Sequence, residues 1–507
     1  MSQSSFRRHG SLRASAIGVI LVLGVTACSG QDGDKGDGAS NGTLRVVLNS
    51  QPATLDPVVG ARSDQYVWGT VVEPLISTGE DLEPGKEGII TDWSRDGDTT
   101  WNFEVRPGVE FSNGEKADAA AVANSILLNR DGEKAILKSY LTNVKSVKAV
   151  DEDTVEVRTA KPQYNIPNLL TNIFLMPPKY YEEKGTEGFT AHPIGTGAFV
   201  WKEQQPGRSI SVTPNDGYWG QKTSLKGLTF TWSADAAQRL ALLRSKAADA
   251  VFDLPPSQAK EARDAGLDVQ TVQSAMKIVG FLQSDKAPFD DPQLREAAAL
   301  AVDRDAIVKS IFGGEAAPDA GLLNVKPGTE PSAQVTADPA KAKSLVTKKV
   351  TVPLTYPAKK YTYIDEVAQA VGGQLEAAGF TVEYNPVDYG TLVSEVVSRK
   401  ISGLYLFAGV PNVAVPDYFA HGFITSNSIT ANCADPALDK LAEDALEKAD
   451  LASAQPLYDE LNKTTVVDKH CYLPLYKQTF SYATDGVSGI RYSPLNNVLF
   501  DKAEFKK

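Results

Sequence analysis

Histidine and cysteine are scarce in this sequence, whose 507 residues contain 4 histidines and 3 cysteines. A protein-built zinc site usually takes four ligands, and a serine nucleophile needs a histidine base beside it. The histidines are too few and too scattered to supply either arrangement, at His9, His192, His421 and His470. We therefore predict no metal site, no catalytic residue and no cofactor.

Positive charge and long apolar runs are also limited. Lysine and arginine total 51 against 63 aspartate and glutamate residues, which gives a formal net charge of -12. This balance disfavours nucleic acid and anionic lipid as main partners, because both attract basic surfaces. The apolar run at residues 16–27 is shorter than the roughly 20 apolar residues that a membrane-spanning helix needs. We expect no transmembrane helix and no coiled coil.

The first residues have the order of a secretory signal: arginines at positions 7, 8 and 13, the apolar run, then Val25-Thr26-Ala27-Cys28. The last four residues resemble a bacterial lipobox, whose cysteine receives a diacylglyceryl group and becomes the new N-terminus. Residues 1–27 are expected to be removed, and Cys28 to carry lipid, including palmitate, at the extracytoplasmic face of the cell membrane. An ordinary signal peptide with an incidental cysteine is the alternative. Arg7-Arg8 leaves the general secretory and twin-arginine routes both open.

Residues 28–42 read as a flexible tether, since after Cys28 they are rich in glycine, aspartate and serine and have no large apolar residue. A Gly-x-Ser-x-Gly match at residues 38–42 falls in this tether. A nucleophile elbow requires a strand-to-helix turn, which a tether does not provide. An exported hydrolase is therefore the disfavoured alternative to a binding protein.

The two remaining cysteines, Cys433 and Cys471, are expected to form a disulfide, because exported proteins usually pair their cysteines. The bond would close a loop of about 38 residues and contribute roughly 3–4 kcal/mol. Free thiols are the alternative.

Strand-like and helix-like segments alternate through two long blocks of the chain. Strands are predicted at 44–48, 101–105, 144–150 and 154–157, and helices at 63–75 and at 119–129 behind an Asp118 cap. After Met276 the alternation continues, with helices opening at Asp291-Pro292, Arg304 and Asp338-Pro339. This pattern predicts two α/β lobes, and small ligands usually bind in the cleft between lobes.

Four segments carry short motifs in a fixed order: Leu55-Asp56-Pro57 with Glu73-Pro74-Leu75; 103–114; Pro193-Ile194-Gly195-Thr196-Gly197 with Tyr218-Trp219; and 288–304. Together they resemble the oligopeptide/dipeptide/nickel type of extracellular solute-binding protein, the receptors of ABC importers. Their glycines fit turns or close backbone approaches, and Arg295 and Asp303 are expected to hold their helices rather than a ligand.

The resemblance implies a two-lobed α/β fold of the periplasmic-binding-protein type, with a hinge cleft and an extra domain inserted in the first lobe. Residues 43–76, 192–275 and 479–507 would form the first lobe, 77–191 the inserted domain and 276–478 the second lobe. The implied function is non-enzymatic: a monomeric receptor captures a peptide-like solute and delivers it to an ABC permease and ATPase complex.

In peptide-binding members, a second-lobe segment carries an aromatic residue and an aspartate that holds the peptide ammonium. The matching stretch is 407–419, where Val410 replaces the usual tryptophan and the uncharged Asn412 stands near the aspartate position. Asp417 belongs to a Pro-Asp pair that is more often structural. This departure leaves nickel-chelate, haem and oligosaccharide ligands as alternatives to a peptide.

Six residues are candidate ligand contacts, because aromatic rings give sequence-tolerant contact area and polar groups orient a ligand. For the first three of them, packing in a core or at the hinge is the alternative. They are Tyr66, Trp232, Tyr405, Asn412, Asp417 and Tyr418.

Overall fold

A computed structural model describes residues 42–61, 64–326 and 328–506 of the chain. The expected signal peptide, the expected lipidation site Cys28 and all of the expected tether except Gly42 lie outside these residues. In the part described, no helix combines the length and the apolar character needed to cross a bilayer.

The fold is mixed α/β. In chain order its strands are β1 (Thr43–Leu48), β2 (Ser77–Thr78), β3 (Pro84–Gly85), β4 (Ile90–Asp96), β5 (Thr100–Val105), β6 (Val144–Ala149), β7 (Thr154–Thr159), β8 (Phe199–Gln205), β9 (Ser209–Pro214), β10 (Gly227–Trp232), β11 (Ala250–Leu254), β12 (Asp268–Leu282), β13 (Ala317–Pro318), β14 (Thr351–Pro357), β15 (Thr381–Val387), β16 (Leu404–Gly409), β17 (Tyr472–Thr484), β18 (Val487–Ser488), β19 (Arg491–Tyr492), β20 (Val498–Leu499) and β21 (Glu504–Phe505).

The helices alternate with these strands along the chain. They are α1 (Gln65–Trp68), α2 (Ala119–Asp131), α3 (Ile166–Leu170), α4 (Pro178–Ala191), α5 (Ala236–Arg244), α6 (Pro256–Asp264), α7 (Pro292–Ala301), α8 (Arg304–Phe312), α9 (Pro339–Leu345), α10 (Ile364–Ala377), α11 (Tyr389–Val397), α12 (Pro416–Phe419), α13 (Pro436–Leu446) and α14 (Leu451–Asn462), with a 3-10 turn at Lys138–Tyr140 and π-helical turns at Ala420–Ile424 and Lys463–Asp468.

The larger sheet has the order β15-β14-β16-β12-β17-β11-β1-β10-β9-β8, with β13 attached to β17. Its two longest strands, β12 and β17, pair antiparallel in the middle. On one side β11, β1 and β10 run parallel, and on the other β14, β15 and β16 run parallel. Separate apolar cores form on the two sides, around Phe230 and Phe252 in the first lobe and around Leu354 and Val367 in the second.

A second, four-stranded antiparallel sheet has the order β4-β5-β7-β6 and packs against α2. Alternate residues of β5 and β7 point inward, including Phe103 and Val155, which are both fully buried. We refer to residues 77–191, which contain this sheet, as the small-sheet unit.

Most predicted elements are confirmed. Asp118 caps α2 by accepting a hydrogen bond from the Ala121 amide, and α7 and α8 begin where Asp291-Pro292 and Arg304 indicated. Arg295 donates to the backbone oxygens of Phe289 and Lys469, and so ties α7 to its surroundings as expected. Asp303 caps α8.

The helix predicted over 63–75 is wrong beyond its first turn, since α1 ends at Trp68. The carbonyl oxygens of Thr70 and Val71 accept hydrogen bonds from the amides of Phe199 and Gly197 at 3.2 and 2.8 Å, instead of continuing the helix. A Cβ on Gly195 would lie 2.0 Å from the Val71 oxygen. The motif glycine therefore permits a close backbone approach that competes with helix propagation.

The structure joins Cys433 to Cys471 by a disulfide, with the Cα atoms 6.0 Å apart. The bond connects the segment after the second π-helical turn to the loop that precedes α13. Both cysteines are buried in the core of the second lobe.

Replacing Gly195 by alanine should lower the free energy of unfolding by about 2–3 kcal/mol, because the added methyl group forces the Val71 backbone away. The matched control is Gly373→Ala in α10, where a Cβ meets nothing within 4 Å. That change should be neutral or stabilising by about 0.5–1 kcal/mol. Urea unfolding followed by circular dichroism measures both, and equal effects would contradict the close-approach explanation.

Candidate ligand-binding cleft

The strand registers place the ends of both parallel sets near one level of the central pair. In the first lobe, Leu254 at the end of β11 pairs with Ser481 of β17. In the second lobe, Gly409 at the end of β16 pairs with Lys277 of β12, which in turn pairs with Lys477 of β17. Ligands of open α/β sheets bind outside the carboxyl ends of the strands. The geometry therefore places the candidate site where the two lobes meet.

The candidate segment after β16 leaves the second lobe and packs against the small-sheet unit. Val413 and Val415 are both 1% exposed and belong to the apolar core of that unit. Helix α12 follows immediately. Ala414, between the two valines, belongs to the core of the second lobe. The segment is thus packed on both sides, which holds its polar residues in place.

Asp417 links the second lobe to the small-sheet unit. One of its carboxylate oxygens accepts a hydrogen bond from Asn165 Nδ2 at 2.9 Å, and the other lies 2.6 Å from His421 Nδ1. Tyr458 of α14 donates to the same carboxylate at 3.5 Å. Asp417 is 3% exposed, so the structural role suggested by its Pro-Asp context accounts for its contacts.

His421 titrates under the influence of this contact. Burial alone lowers the pKa of His421, but the charge and hydrogen bonds of Asp417 together outweigh burial and raise that pKa above its usual value. The protonated imidazole then forms an ion pair with Asp417 beside the Asn165 contact.

Tyr418 is half-buried and stacks on Tyr140 of the small-sheet unit, with ring centroids 5.3 Å apart and planes inclined by 10°. Other contacts cross the same boundary: Tyr164 lies 3.4 Å from the Tyr458 hydroxyl, and Lys161 lies 3.1 Å from Glu443. The second lobe is therefore in direct contact with the small-sheet unit in this structure.

A cavity of about 330 Å³ opens beside this boundary, at the lower end of the range for small-ligand pockets. Its wall combines acidic, basic, amide and apolar side chains from the loop after β13, the segment before α12, and α14. Among its lining residues are Asn324, Lys326, Glu330, Pro416, Gln455 and Asp459.

A buried lysine, Lys277, fixes the cavity-lining residue Asn324 in place. Lys277 is fully buried and its ammonium donates to Asn324 Oδ1 at 2.6 Å and to the Gly321 oxygen at 2.7 Å, with Asp319 Oδ2 at 2.8 Å. Burial lowers the pKa of Lys277 to about 8, although the Asp319 charge opposes that effect. Asn324 also donates to Asp319 and to the Thr329 oxygen, so its amide is fixed at both ends.

Tyr66 and Trp232 belong to the first lobe. Tyr66 is 2% exposed in α1, and its hydroxyl lies 2.5 Å from the Tyr492 hydroxyl and 2.6 Å from Asn496 Oδ1. Trp232 ends β10 and is partly buried against the first-lobe core.

Tyr405 lies in the core of the second lobe, 1% exposed, and stacks on Phe281 with centroids 4.6 Å apart. Of the two alternatives for Tyr405, a ligand contact and packing in a core, the structure shows packing in a core. Asn412 is half-buried in the segment between β16 and α12. The structure thus brings Asn412, Asp417 and Tyr418 together on one segment, with Tyr66 and Trp232 on the other lobe.

Sequence reasoning missed the partners that the small-sheet unit and the loop after β13 supply. Tyr140 and Asn165 stand in short connections after a helix and a strand, with no motif around them. Asn324 lies in a loop rich in glycine and proline, which was the one signal available. In the described ranges, no group of three or more His, Cys, Asp or Glu side chains is placed to hold a metal ion.

The model of the bacterial extracellular solute-binding proteins, family 5, matches residues 86–431. The chain belongs to this family. As a family 5 extracellular solute-binding protein, it is a solute receptor that works on the extracytoplasmic side. The matched region contains the four-stranded sheet of the small-sheet unit, the loop after β13 and the segment after β16.

Relatives cover nearly the whole chain. Protein XP55 of Streptomyces lividans is 26% identical over 498 residues, covering 90% of this chain and 88% of that protein. The glutathione-binding protein GsiB of Salmonella paratyphi A is 27% identical over 491 residues, covering 91% of this chain and 94% of that protein.

Solved structures share the fold. The ABC transporter substrate-binding protein CtaP of Listeria monocytogenes superposes with a TM-score of 0.82 at 19% identity, covering 92% of this chain and 99% of that one. NikA of Brucella suis in complex with Fe(III)-EDTA superposes with a TM-score of 0.81 at 20% identity, covering 92% of this chain and 100% of that one. These likenesses confirm the two-lobed α/β fold.

The His421–Asp417 contact makes stability depend on pH. Because the folded-state pKa of His421 is raised, its stabilising effect is complete below about pH 6.5 and is lost as the pH rises through the folded value. His421→Gln should therefore lower the melting temperature most at pH 5–6, by on the order of 1–3 °C, and least near pH 9.

The control is His470→Gln. Burial lowers the pKa of His470, so the change of stability with pH has the opposite sign to that of His421. Wild type should lose stability relative to that variant as the pH falls below about 6.5. If the difference in melting temperature between wild type and His421→Gln is the same at every pH from 5 to 9, the contact with Asp417 does not form.

Proposed function

We propose that this receptor captures a compact peptide-like solute between its lobes, against the second-lobe wall that lines the 330 Å³ cavity, and hands it to an ABC permease and ATPase complex. The mixed wall of the cavity carries the proposal. Lys326, Glu330 and Asp459 supply charges of both signs, and a short peptide is a zwitterion with polar amides between its charges. Apolar wall residues such as Leu323 and Leu451 suit side chains of varied shape.

The relatives support this class of ligand. GsiB is named for binding glutathione, which is a tripeptide, and a dipeptide-binding protein of Pseudoalteromonas with the same fold holds Met-Leu. Nickel-chelate, haem and oligosaccharide ligands are the alternatives within the fold, and a structural neighbour, NikZ, holds Ni(L-His). The cavity favours a small solute over haem or a long oligosaccharide by its volume.

In this proposal the protein is a monomeric, non-enzymatic receptor with the lobes placed as the sequence indicated. Residues 43–76, 192–275 and 479–507 form the first lobe, 77–191 the inserted domain and 276–478 the second lobe. Closure buries the solute, and differential affinity for the closed state supplies the driving force. The lipid on Cys28 and the tether at 28–42 keep the receptor beside its permease.

Protein purified from its own host and examined by native mass spectrometry should carry a co-purified mass in the range of a di- or tripeptide. The purified mature protein should also melt at a higher temperature with a pool of such peptides. Ser332→Trp, at the exposed edge of the cavity, should reduce that shift, and Ser344→Trp on exposed α9 should not. A metal chelate or sugar as the co-purified mass would contradict the peptide assignment.

Cys28→Ser should release the protein from the membrane into the soluble extracytoplasmic fraction. The variant lacks the thiol that carries the lipid, so no acyl chains remain to anchor it. Peptide binding should be unchanged. Fractionation followed by immunoblotting measures the release, and continued sedimentation of the variant with membranes would contradict lipid anchoring at this cysteine.

A further inference from the structure

Asp253 occupies an unusual position at the end of β11. Its backbone has φ +55°, in the left-handed region that few non-glycine residues adopt, and its side chain is half-buried. It lies at the carboxyl edge of the parallel strands of the first lobe, near the level at which β12 and β17 connect the lobes. Strained backbone held by surrounding structure is frequent at functional sites.

The Asp253 carboxylate faces oxygen atoms. The hydroxyls of Tyr66 and Tyr492 each lie 3.4 Å from its Oδ1, and both hydroxyls lie within 2.6 Å of Asn496 Oδ1. The two hydroxyl protons are shared among four oxygen atoms. In either orientation of the Asn496 amide, the neighbouring groups are neutral hydroxyls and an amide. They leave the carboxylate charge without a counter-ion.

No cationic side chain of the described residues forms an ion pair with this carboxylate. The nearby Arg239 uses its guanidinium on backbone oxygens instead, with Nη2 donating to the Asp253 carbonyl at 2.7 Å and Nη1 to the Ser233 carbonyl at 2.7 Å. A buried charge without a partner is costly. Burial accordingly raises the pKa of Asp253 to about 6, although the Arg239 charge opposes that effect.

The walls around the cluster are aromatic. Tyr492 stacks on Tyr482 and Phe252 with centroids 5.5 and 5.9 Å away, and Tyr66 lies 5.7 Å from Phe252. The rings are buried, whereas Asp253 and Asn496 are half-buried and so form the open side. A carboxylate framed by tyrosine hydroxyls and aromatic rings suits an ammonium group, which brings three donors and one positive charge.

This open side lies where the second lobe meets the first. Tyr363 of the second lobe contacts Ser257, four residues beyond Asp253, with hydroxyl oxygens 3.1 Å apart. The Pro494 carbonyl, beside the Tyr492–Asn496 turn, accepts from the Ala275 amide of β12. A solute enclosed by the lobes can therefore meet Asp253. A metal ion fits less well, because the described residues place no three His, Cys, Asp or Glu side chains together.

We propose that Asp253, with Tyr66, Tyr492 and Asn496, forms the subsite for the protonated amine of the solute. This inference rests on the proposed peptide-like ligand and adds where its amine binds. It assigns to the first lobe the anionic contact that the uncharged Asn412 does not provide in the second.

The test compares wild type, Asp253→Asn and the matched control Asp264→Asn, an exposed aspartate at the end of α6. The probes are a tripeptide pool with free amino termini and the same pool after N-acetylation, with retention measured by native mass spectrometry. Asp253→Asn should bind the free-amine pool about 10- to 100-fold more weakly than wild type and the control. All three proteins should bind the acetylated pool weakly and equally.

The melting temperature of the ligand-free proteins separates binding from scaffolding. Asp253→Asn should melt at or above the wild-type temperature, because it removes an uncompensated charge. A fall of several degrees would contradict the inference by showing a structural carboxylate. Wild-type affinity of Asp253→Asn for free-amine peptides would overturn the subsite while leaving the proposed function standing. Binding of neither pool by wild type would overturn the proposed function, and the subsite with it.

Discussion

The antiparallel pair of β12 and β17 is the constraint on which the rest of the structure depends. These strands, of 15 and 13 residues, are the continuous connection in the larger sheet between the two parallel sets. Their register brings the ends of β11 and β16 near one level, and so fixes where the cleft lies. The ladder between them is interrupted between Gln273 and Lys277, at that same level. Fewer cross-strand bonds there make this the natural place for the lobes to bend.

Near that level the two lobes differ in how their buried charges are paired. The second lobe buries Lys277 and Lys477 around Asp319, and its lysines find carbonyl, amide and carboxylate partners. The first lobe presents Asp253 among hydroxyls. Folding alone would not favour a half-buried carboxylate of this kind, whereas a receptor gains from a group that a cationic ligand satisfies. The small-sheet unit adds direct contacts to the second lobe through Asn165 and Tyr140, which fix the two against each other.

Much of the fold follows from local sequence signals. Asp118, Asp291 and Asp303 cap helices that begin where their sequence context indicates, and motif glycines such as Gly195 mark close approaches. The helix after residue 63 was overpredicted because backbone pairing of Thr70 and Val71 with the 197–199 loop is a long-range contact. The site was less predictable for the same reason. Tyr405 and Tyr418 are both tyrosines of one region, and only tertiary packing decides that one joins a core and the other stacks on Tyr140.

Small-angle X-ray scattering of the mature protein, with and without a saturating tripeptide pool, tests the central claim most directly. Capture of a solute between lobes that bend at the β12–β17 pair requires the free protein to sample an open form. The account predicts that the radius of gyration falls when peptide binds. An unchanged radius of gyration in a sample shown to be fully peptide-bound would contradict closure around the solute.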